Sequence, residues 1–168
     1  MFLFSCSNDL EKVRDISIQG SESFPIETIE NCEIVYSDSA QVRVILNTKL
    51  MNRFIGDSSY MEFNEGVRVQ FFNSSGSKES ELSSLYAIAD QEKEIMQARK
   101  NVVVRNINGD LLETEHLIWD GQSEEIYTED FVKITTENEI IYGEGLRSNQ
   151  DFSKYTIKNV NGTISIAD

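Results

Sequence analysis

The sequence has few of the residues that catalytic and metal centres use most. It contains one histidine, two cysteines and one tryptophan among 168 residues. On a strand, Glu113 and Glu115 share one face while His116 points to the other, so these side chains do not converge on a metal ion. No Gly-x-Ser-x-Gly motif accompanies the serines, which argues against a serine hydrolase. We therefore expect a protein with no enzymatic activity and no cofactor.

Basic residues and long apolar runs are also scarce. The chain has 15 basic against 29 acidic residues, a formal net charge of -14. This charge argues against a nucleic acid as partner and against docking on anionic lipid by charge alone, because both depend on Lys and Arg meeting phosphates. No run approaches the roughly 20 apolar residues of a membrane helix, so we expect that the chain does not span a bilayer.

The residues that are present indicate a folded, all-β domain. Hydrophobic residues make up 39% of the chain, which is too rich for disorder, and the length fits one domain. Residues 41–54 alternate, with Val42, Val44, Leu46 and Thr48 on one face. The rhythm is clearest over residues 111–146, and it predicts strands at 110–120, 125–130, 131–136 and 139–146. The single proline, Pro25, suits an edge or an entry turn.

Residues 77–100 are ambiguous when taken alone. Apolar residues recur there at helical spacing, and the content of Ala, Glu, Gln and Lys slightly favours a helix. An internal repeat reverses this preference, because residues 87–104 match residues 117–134 at an offset of 30. The matched pairs are Ile88/Ile118, Asp90/Asp120, Glu94/Glu124, Val102/Val132 and Val104/Ile134. Residues 60–69 form a third, partial copy. We therefore expect strands throughout, roughly fifteen short ones, in a long β-sandwich or jelly roll.

The ordered series of motifs from about residue 20 to the end resembles the LptC family of the lipopolysaccharide transport machine, in its Bacteroidetes form. The matching elements are Ala89–Asp90, the Val-x-Val units, the run Leu112, Thr114, Glu115, Leu117, Trp119 and Asp120, Gly143-x-Gly145-Leu146, and Gly162. The resemblance implies an elongated, twisted β-jelly roll like those of OstA and LptA, with antiparallel strands and open edges. We expect residues 13–168 to form this single domain and residues 1–12 to form a tether.

The resemblance also implies a role and partners. LptC-like proteins take lipopolysaccharide from an inner-membrane ABC transporter with LptF- and LptG-like periplasmic domains, and pass it to an LptA-like periplasmic bridge protein. Acyl chains fit an apolar slot between sheets, since each CH₂ removed from water gains roughly 0.8 kcal/mol. Exposed edge strands suit edge-to-edge joining of neighbouring jelly rolls. The alternative is a cell-envelope β-sandwich lipoprotein that serves only protein–protein interaction, as in an adhesin or a pilus.

The candidate site residues follow from the repeat strands and from the two ends of the domain. The expected lipid-binding residues are Val67, Val69, Phe71, Val102, Val104, Val132 and Ile134, with Trp119 and Phe131 near the rim. For each of these a closed core is an equally valid interpretation. The expected partner-docking residues are Ile16 and Ile18 on the transporter side and Gly143, Gly145, Ile157 and Ile164 near the C-terminal edge. The two glycines equally predict a β-bulge.

The N-terminus suggests how the domain is anchored. Residues 3–6, Leu-Phe-Ser-Cys, resemble the lipobox of bacterial lipoproteins, which predicts a lipid on Cys6 and attachment to a membrane. The resemblance to the LptC family implies that this is the inner membrane, on its periplasmic side. The preceding apolar run is shorter than the about 7–15 residues of a signal peptide, so a chance match is the alternative. Cys32 is then expected to be a small half-buried residue, or the partner of Cys6 in a disulfide if Cys6 is unmodified.

Overall fold

The computed structural model describes residues 24–56 and 59–165, which form one antiparallel sheet of eleven strands. In this part of the chain no helix is long and apolar enough to cross a membrane. The strands are β1 (Glu27–Asp38), β2 (Gln41–Phe54), β3 (Tyr60–Phe63), β4 (Val67–Phe72), β5 (Lys78–Ser84), β6 (Tyr86–Asp90), β7 (Ile95–Asn106), β8 (Leu111–Asp120), β9 (Glu125–Thr135), β10 (Glu139–Asn149) and β11 (Tyr155–Ser165).

The sheet folds over into two layers. The long strands β2 and β7 pair with one strand along their first half and with another along their second half, and the long strands beside them bend in the same way. β7 pairs with β6 over residues 95–99 and with β5 over residues 103–106. β2 likewise pairs with β4 over residues 44–48 and with β3 over residues 52–54. Layer 1 contains β3, β6 and residues 27–30, 50–54, 95–99, 116–120, 125–128, 146–149 and 155–157. Layer 2 contains β4, β5 and residues 32–38, 41–48, 102–106, 111–114, 131–135, 139–143 and 160–165. This is the expected jelly roll.

The strands turn from one layer into the other at bulges. The φ angle is 51° at Asn31 in β1, 65° at Lys100 in β7 and 71° at Gly145 in β10. All three lie in the left-handed region, which residues with a Cβ atom rarely adopt. The pairing register shifts in the same regions of β7, β8 and β10. Bulges bend a strand and increase its twist, so they let one continuous strand serve both layers.

The core lies between the layers and is built by alternation. In β2 the inward residues Val44, Leu46 and Thr48 are buried, as the alternation over residues 41–54 predicts, whereas Val42 at the start of the strand is 38% exposed. Phe63 of layer 1 and Val132 of layer 2 are fully buried. Burying such side chains contributes about 1.5–3 kcal/mol each, which makes this shared apolar face the main source of stability.

The internal repeat corresponds to two equivalent hairpins. The first joins β6 to β7 and the second joins β8 to β9, with Asp90 and Asp120 at matching positions before the turns. Both aspartates accept hydrogen bonds from backbone N–H groups of their turns, at 3.0 Å from Lys93 and 2.9 Å from Gln122. The φ angles of Glu94 and Glu124 are 55° and 54°. The repeat therefore predicted strands correctly for residues 77–100, where β5, β6 and the first half of β7 lie.

The number and length of the strands differ from the expectation of roughly fifteen short ones. The segments at 125–130 and 131–136 were expected to be separate strands, but residues 125–135 form the single strand β9. The polar residues Glu129 and Asp130 interrupt the alternation because the chain crosses between layers there, not because it reverses. Eleven longer strands result.

The sheet remains open at both ends, as expected. Among the described residues β1 pairs only with β2, and β11 pairs only with β10. Each of these terminal strands presents one unpaired row of backbone N–H and C=O groups. Pro25 precedes the first of them, in the entry position that its lack of an N–H group suits.

Candidate functional site

A cleft of about 550 Å³ opens between the two layers on the β1–β2 side of the roll. Its layer 2 wall comes from β1, β2 and β4, and its layer 1 wall comes from β3, β6 and the facing ends of β7 and β8. Most of the lining surface is apolar, and its apolar residues are Ile34, Val44, Leu46, Met61, Phe63, Val69, Ala89, Ile95, Met96 and Trp119. The volume is within the range of small-molecule sites.

The connection between β10 and β11 closes the rest of the space between the layers. Phe152 in this connection is buried, with 1% of its surface exposed, and stacks on Tyr155 at 5.2 Å between ring centroids. The carbonyl of Phe152 accepts a hydrogen bond from Nδ2 of Asn106 in layer 2 at 3.3 Å, and the carbonyl of Gln150 accepts one from Oγ of Ser80 at 2.6 Å. Both of these bonds reach layer 2, and the backbone N–H of Gln150 donates a hydrogen bond to the carbonyl of Glu124 in the turn between β8 and β9, at 3.0 Å. The plug formed by residues 150–154 therefore connects the two layers beside the cleft.

Trp119 marks the boundary between the cleft and the plug. Its indole Nε1 donates a hydrogen bond to Oε1 of Gln150 at 3.3 Å, and its ring lies 5.7 Å from the ring of Phe71, measured between centroids. The polar end of the side chain is thus satisfied by the plug while the ring lines the cleft wall. This is the usual arrangement for a half-buried tryptophan.

The mouth of the cleft is mainly acidic. Asp38, Asp90, Glu94 and Glu124 lie at its lining, against one arginine, Arg43. A hydrogen bond from Lys93 holds the pKa of Asp90 below its usual range, so this carboxylate is ionised at neutral pH. Arg43 forms an ion pair with Glu124, at 3.2 Å between Nη2 and Oε1. The ion pair joins β2 in layer 2 to the turn between β8 and β9 in layer 1.

The chemistry of this arrangement suits an amphiphilic ligand. The walls offer apolar surface and no converging nucleophile, and no group of His, Cys, Asp and Glu side chains among the described residues is placed to hold a metal ion. Alkyl chains need no polar partner and gain roughly 0.8 kcal/mol for each CH₂ that leaves water. Polar groups of such a ligand would meet the charged mouth.

The predicted lipid-binding residues occupy three different environments. Val69 and Trp119 line the cleft, and Phe71 packs behind Trp119. Phe131 is 52% exposed on the outside of the roll, stacked on Tyr142. The remaining residues belong to the packed core of layer 2: Val67, Val102, Val104, Val132 and Ile134. Lipid contact at all of these positions stays a prediction, and the cleft favours Val69 and Trp119 among them.

Four of the predicted docking residues lie near the C-terminal edge. Ile164 is exposed on β11, and Ile157 of the same strand packs against the core. Gly143 and Gly145 belong to β10, which is hydrogen-bonded to β9 on one side and β11 on the other. The register shifts at both glycines, which is the β-bulge that their sequence equally predicted. Ile16, Ile18 and Cys6 lie outside the described residues, and Cys32 is half-buried in β1.

Several residues of the cleft were not predicted from the sequence. Met61, Phe63, Leu46 and Met96 have the same inward, apolar pattern as the core residues that were predicted, so alternation alone does not separate the two groups. The signal that was present is Arg43, a cation within the otherwise apolar run of residues 42–46. Such a residue is costly in a closed core and is expected at an opening.

Comparison with known proteins gives one family. The family described as lipopolysaccharide-assembly, LptC-related, matches residues 33–165, which is nearly all of the described part of the chain. A search of the curated proteins finds no match. The matched range runs from the middle of β1 to the last residue of β11, so it covers both layers, the cleft and the plug.

Proposed function

Because the chain belongs to the LptC family of lipopolysaccharide-assembly proteins, we propose that it is a non-enzymatic bridge protein that carries lipopolysaccharide between an inner-membrane ABC transporter and the next periplasmic bridge protein. Membership in the family gives the chain a part in lipopolysaccharide transport. The donor, the acceptor and the direction of transfer belong to the proposal.

The observation that carries the proposal is the apolar cleft between the layers. It is open to the outside at the β1–β2 side, and its walls are fixed by the two hydrogen-bonded layers and by the plug of residues 150–154. Acyl chains that lie in this cleft are removed from water while the attached sugars stay outside. A largely apolar wall holds such chains without specific polar contacts, so they remain free to slide.

The two unpaired edges supply the means to join neighbours. A jelly roll that presents an edge strand at each end can add to another by backbone hydrogen bonds, which places the two interiors in line. We assign the β1 end to the LptF- and LptG-like periplasmic domains of the transporter, together with Ile16 and Ile18. We assign the β11 edge, with Ile157 and Ile164, to an LptA-like protein, while Gly143 and Gly145 shape the bend beside it. The energy for directional transfer comes from the transporter.

The location follows from the same role. A bridge that receives lipid from an inner-membrane transporter works in the periplasm and stays close to that membrane. Lipid attachment at Cys6 would supply the tether, with residues 1–12 as the connecting segment and residues 13–168 as the domain. Mass spectrometry of the protein extracted from membranes tests this part separately. A free thiol at Cys6 would remove the lipid anchor and leave the cleft unaffected.

The cleft itself is tested by filling it. Ala89 in β6 lines the cleft, while its neighbour Ile88 lies outside the cleft lining, on the opposite face of the same strand. The variant Ala89→Phe should weaken lipopolysaccharide binding about tenfold or more, and Ile88→Phe should change it less than about twofold, since only the first takes up ligand volume. The fluorescence of Trp119, which lies on the cleft wall, reports binding directly.

Equal binding by Ala89→Phe and wild-type protein would contradict the proposal. An absence of lipopolysaccharide binding in the wild type would favour the alternative of a cell-envelope β-sandwich that serves only protein–protein interaction. An interaction module of that kind is expected to have a closed core and elaborated loops. The hairpin turns at residues 91–94 and 121–124 are short, and the space between the layers is open.

A further inference from the structure

Arg43 is the one cationic side chain among the described residues that line the cleft. It lies on β2 beside Val44, which belongs to the apolar wall. Its side chain is only 21% exposed, so the guanidinium is held at the mouth and is not free in solvent. A cation fixed at the entrance of an apolar cleft lies where the polar end of an amphiphile would meet the protein.

The contact with Glu124 uses only one of the hydrogen-bond donors of the Arg43 guanidinium. One hydrogen bond joins Nη2 of Arg43 to Oε1 of Glu124, at 3.2 Å. A guanidinium has five N–H donors arranged as a fork that matches two oxygens of a carboxylate or phosphate at once, and the contact with Glu124 is not of this two-bonded kind. Glu124 is itself 59% exposed. Exposed ion pairs are weak, so a ligand oxyanion can replace Glu124 at small cost.

The other charged residues that line the mouth are carboxylates, which do not attract an anion. Asp38 and Glu94 are carboxylates, and Asp90 is already paired with Lys93. Each of these carboxylates repels a negatively charged headgroup over the short distances at the mouth. Attraction is therefore concentrated at Arg43, between β2 and the turn that joins β8 to β9.

We propose that Arg43 forms a subsite for the anionic headgroup, a phosphate or similar oxyanion, of the amphiphile whose alkyl chains occupy the cleft, with Glu124 as an internal competitor that the ligand displaces. This inference rests on the proposed function, because it needs alkyl chains in the cleft. It adds a fixed orientation: the negative end of the ligand lies against β2 and not against the acidic ends of β6 and β7. It also adds selectivity for anionic over neutral headgroups.

The test compares two amphiphiles with the same alkyl chain, dodecyl phosphate and dodecyl maltoside, and inorganic phosphate alone. Binding is measured by isothermal titration calorimetry below the micelle concentration of each. Arg43→Gln should weaken binding of dodecyl phosphate by about three- to tenfold, the effect of one partly exposed charged contact. It should leave dodecyl maltoside unchanged. Glu124→Gln should strengthen binding of dodecyl phosphate by about two- to threefold, because the competitor is neutralised.

Arg105→Gln is the matched control, since Arg105 is an exposed arginine of layer 2 that does not line the cleft. The subsite is overturned if Arg43→Gln weakens both amphiphiles equally, if Arg105→Gln has the same effect, or if Glu124→Gln weakens binding of dodecyl phosphate. Inorganic phosphate bound as tightly as dodecyl phosphate would mark a free-phosphate site and overturn the headgroup assignment. Wild-type protein that binds neither amphiphile would overturn the cleft proposal itself, whereas binding of dodecyl maltoside preserves it.

Discussion

The bend of β10 between the layers depends on the absence of a side chain at Gly143. A Cβ atom at this position would lie 2.4 Å from Cγ2 of Ile157 and 2.7 Å from the backbone carbonyl oxygen of Asn159. Carbon–oxygen contacts this short do not persist, and the oxygen belongs to the neighbouring strand, so β11 would have to move. Gly162 in β11 offers the matched comparison, because a Cβ atom there meets nothing within 4 Å.

The expected magnitudes have opposite signs at the two positions. Overpacking costs about 1–3 kcal/mol, while replacing a glycine without strain stabilises by about 0.4–1 kcal/mol through the unfolded chain. Gly143→Ala should therefore lower the free energy of unfolding by about 1–2 kcal/mol. Gly162→Ala should leave it unchanged or raise it by up to about 1 kcal/mol. Neither glycine has a φ in the left-handed region, so backbone strain adds nothing to the difference.

Urea unfolding followed by the fluorescence of Trp119, the single tryptophan, measures both variants in the same assay. The difference between the two free energies of unfolding should be about 2 kcal/mol, which corresponds to roughly 4–8 °C in Tm for a chain of this size. A Gly143→Ala variant as stable as Gly162→Ala would refute the close approach of β10 and β11 at the bend.

Three further predictions concern packing and pH. Phe63→Ala should lower the free energy of unfolding by about 3–5 kcal/mol in chemical denaturation, because Phe63 is fully buried, whereas Phe131→Ala should cost less than about 1 kcal/mol because Phe131 is half exposed. Phe152→Ala should destabilise by about 3–5 kcal/mol and also widen the cleft, seen as a red shift of tryptophan emission. Burial, together with the hydrogen bond to Glu62, raises the pKa of Tyr86 to about 12. A raised pKa means that the neutral phenol favours the folded state, so its stabilising effect is present below pH ~10 and is lost as the pH rises through about 12. Unfolding of Tyr86→Phe across this range should show a smaller loss of stability than wild type; an identical pH profile would contradict the assignment.

Much of the fold follows from local patterns. The alternation over residues 41–54 predicted β2 to the residue, and the repeat at an offset of 30 predicted that residues 77–100 form strands although their composition favours a helix. The first prediction is correct because apolar residues at every second position are enough to form a half-buried strand. The second is correct because similar turn residues produce similar hairpins. Asp90 and Asp120 each accept a hydrogen bond from the backbone N–H group three residues further on, from Lys93 at 3.0 Å and from Ser123 at 3.2 Å.

The division of strands between two layers could not be predicted in this way. Glu129 and Asp130 interrupt the alternation of apolar and polar residues. A reversal of the chain and a crossing to the other layer both produce such an interruption, so the sequence does not distinguish them. What distinguishes the two outcomes is that hydrogen-bond partners continue on both sides of the bulge, which is a property of the assembled sheet. The count of roughly fifteen strands was therefore too high.

The position of the cleft also could not be predicted from local sequence patterns. The predicted residues Val102, Val104 and Ile134 point inward, as expected, but they lie in the part of the roll that is packed shut. Phe152 is buried beside the cleft, and its connection is hydrogen-bonded to Ser80 and Asn106, about 50–70 residues away in the chain. No periodicity within a strand encodes such a contact.

Site-specific photo-crosslinking in cells shows whether acyl chains of lipopolysaccharide lie between the layers on the β1–β2 side. A photoreactive residue at Met61 projects into the cleft, one at Val104 lies in the packed core, and one at Lys133 lies on the outer side of layer 2. We expect a lipopolysaccharide adduct from position 61 and none from position 133, with little or none from position 104. Adducts of equal yield at positions 61 and 133, or none at position 61 in cells that are transporting lipopolysaccharide, would mean that the acyl chains do not lie in this cleft.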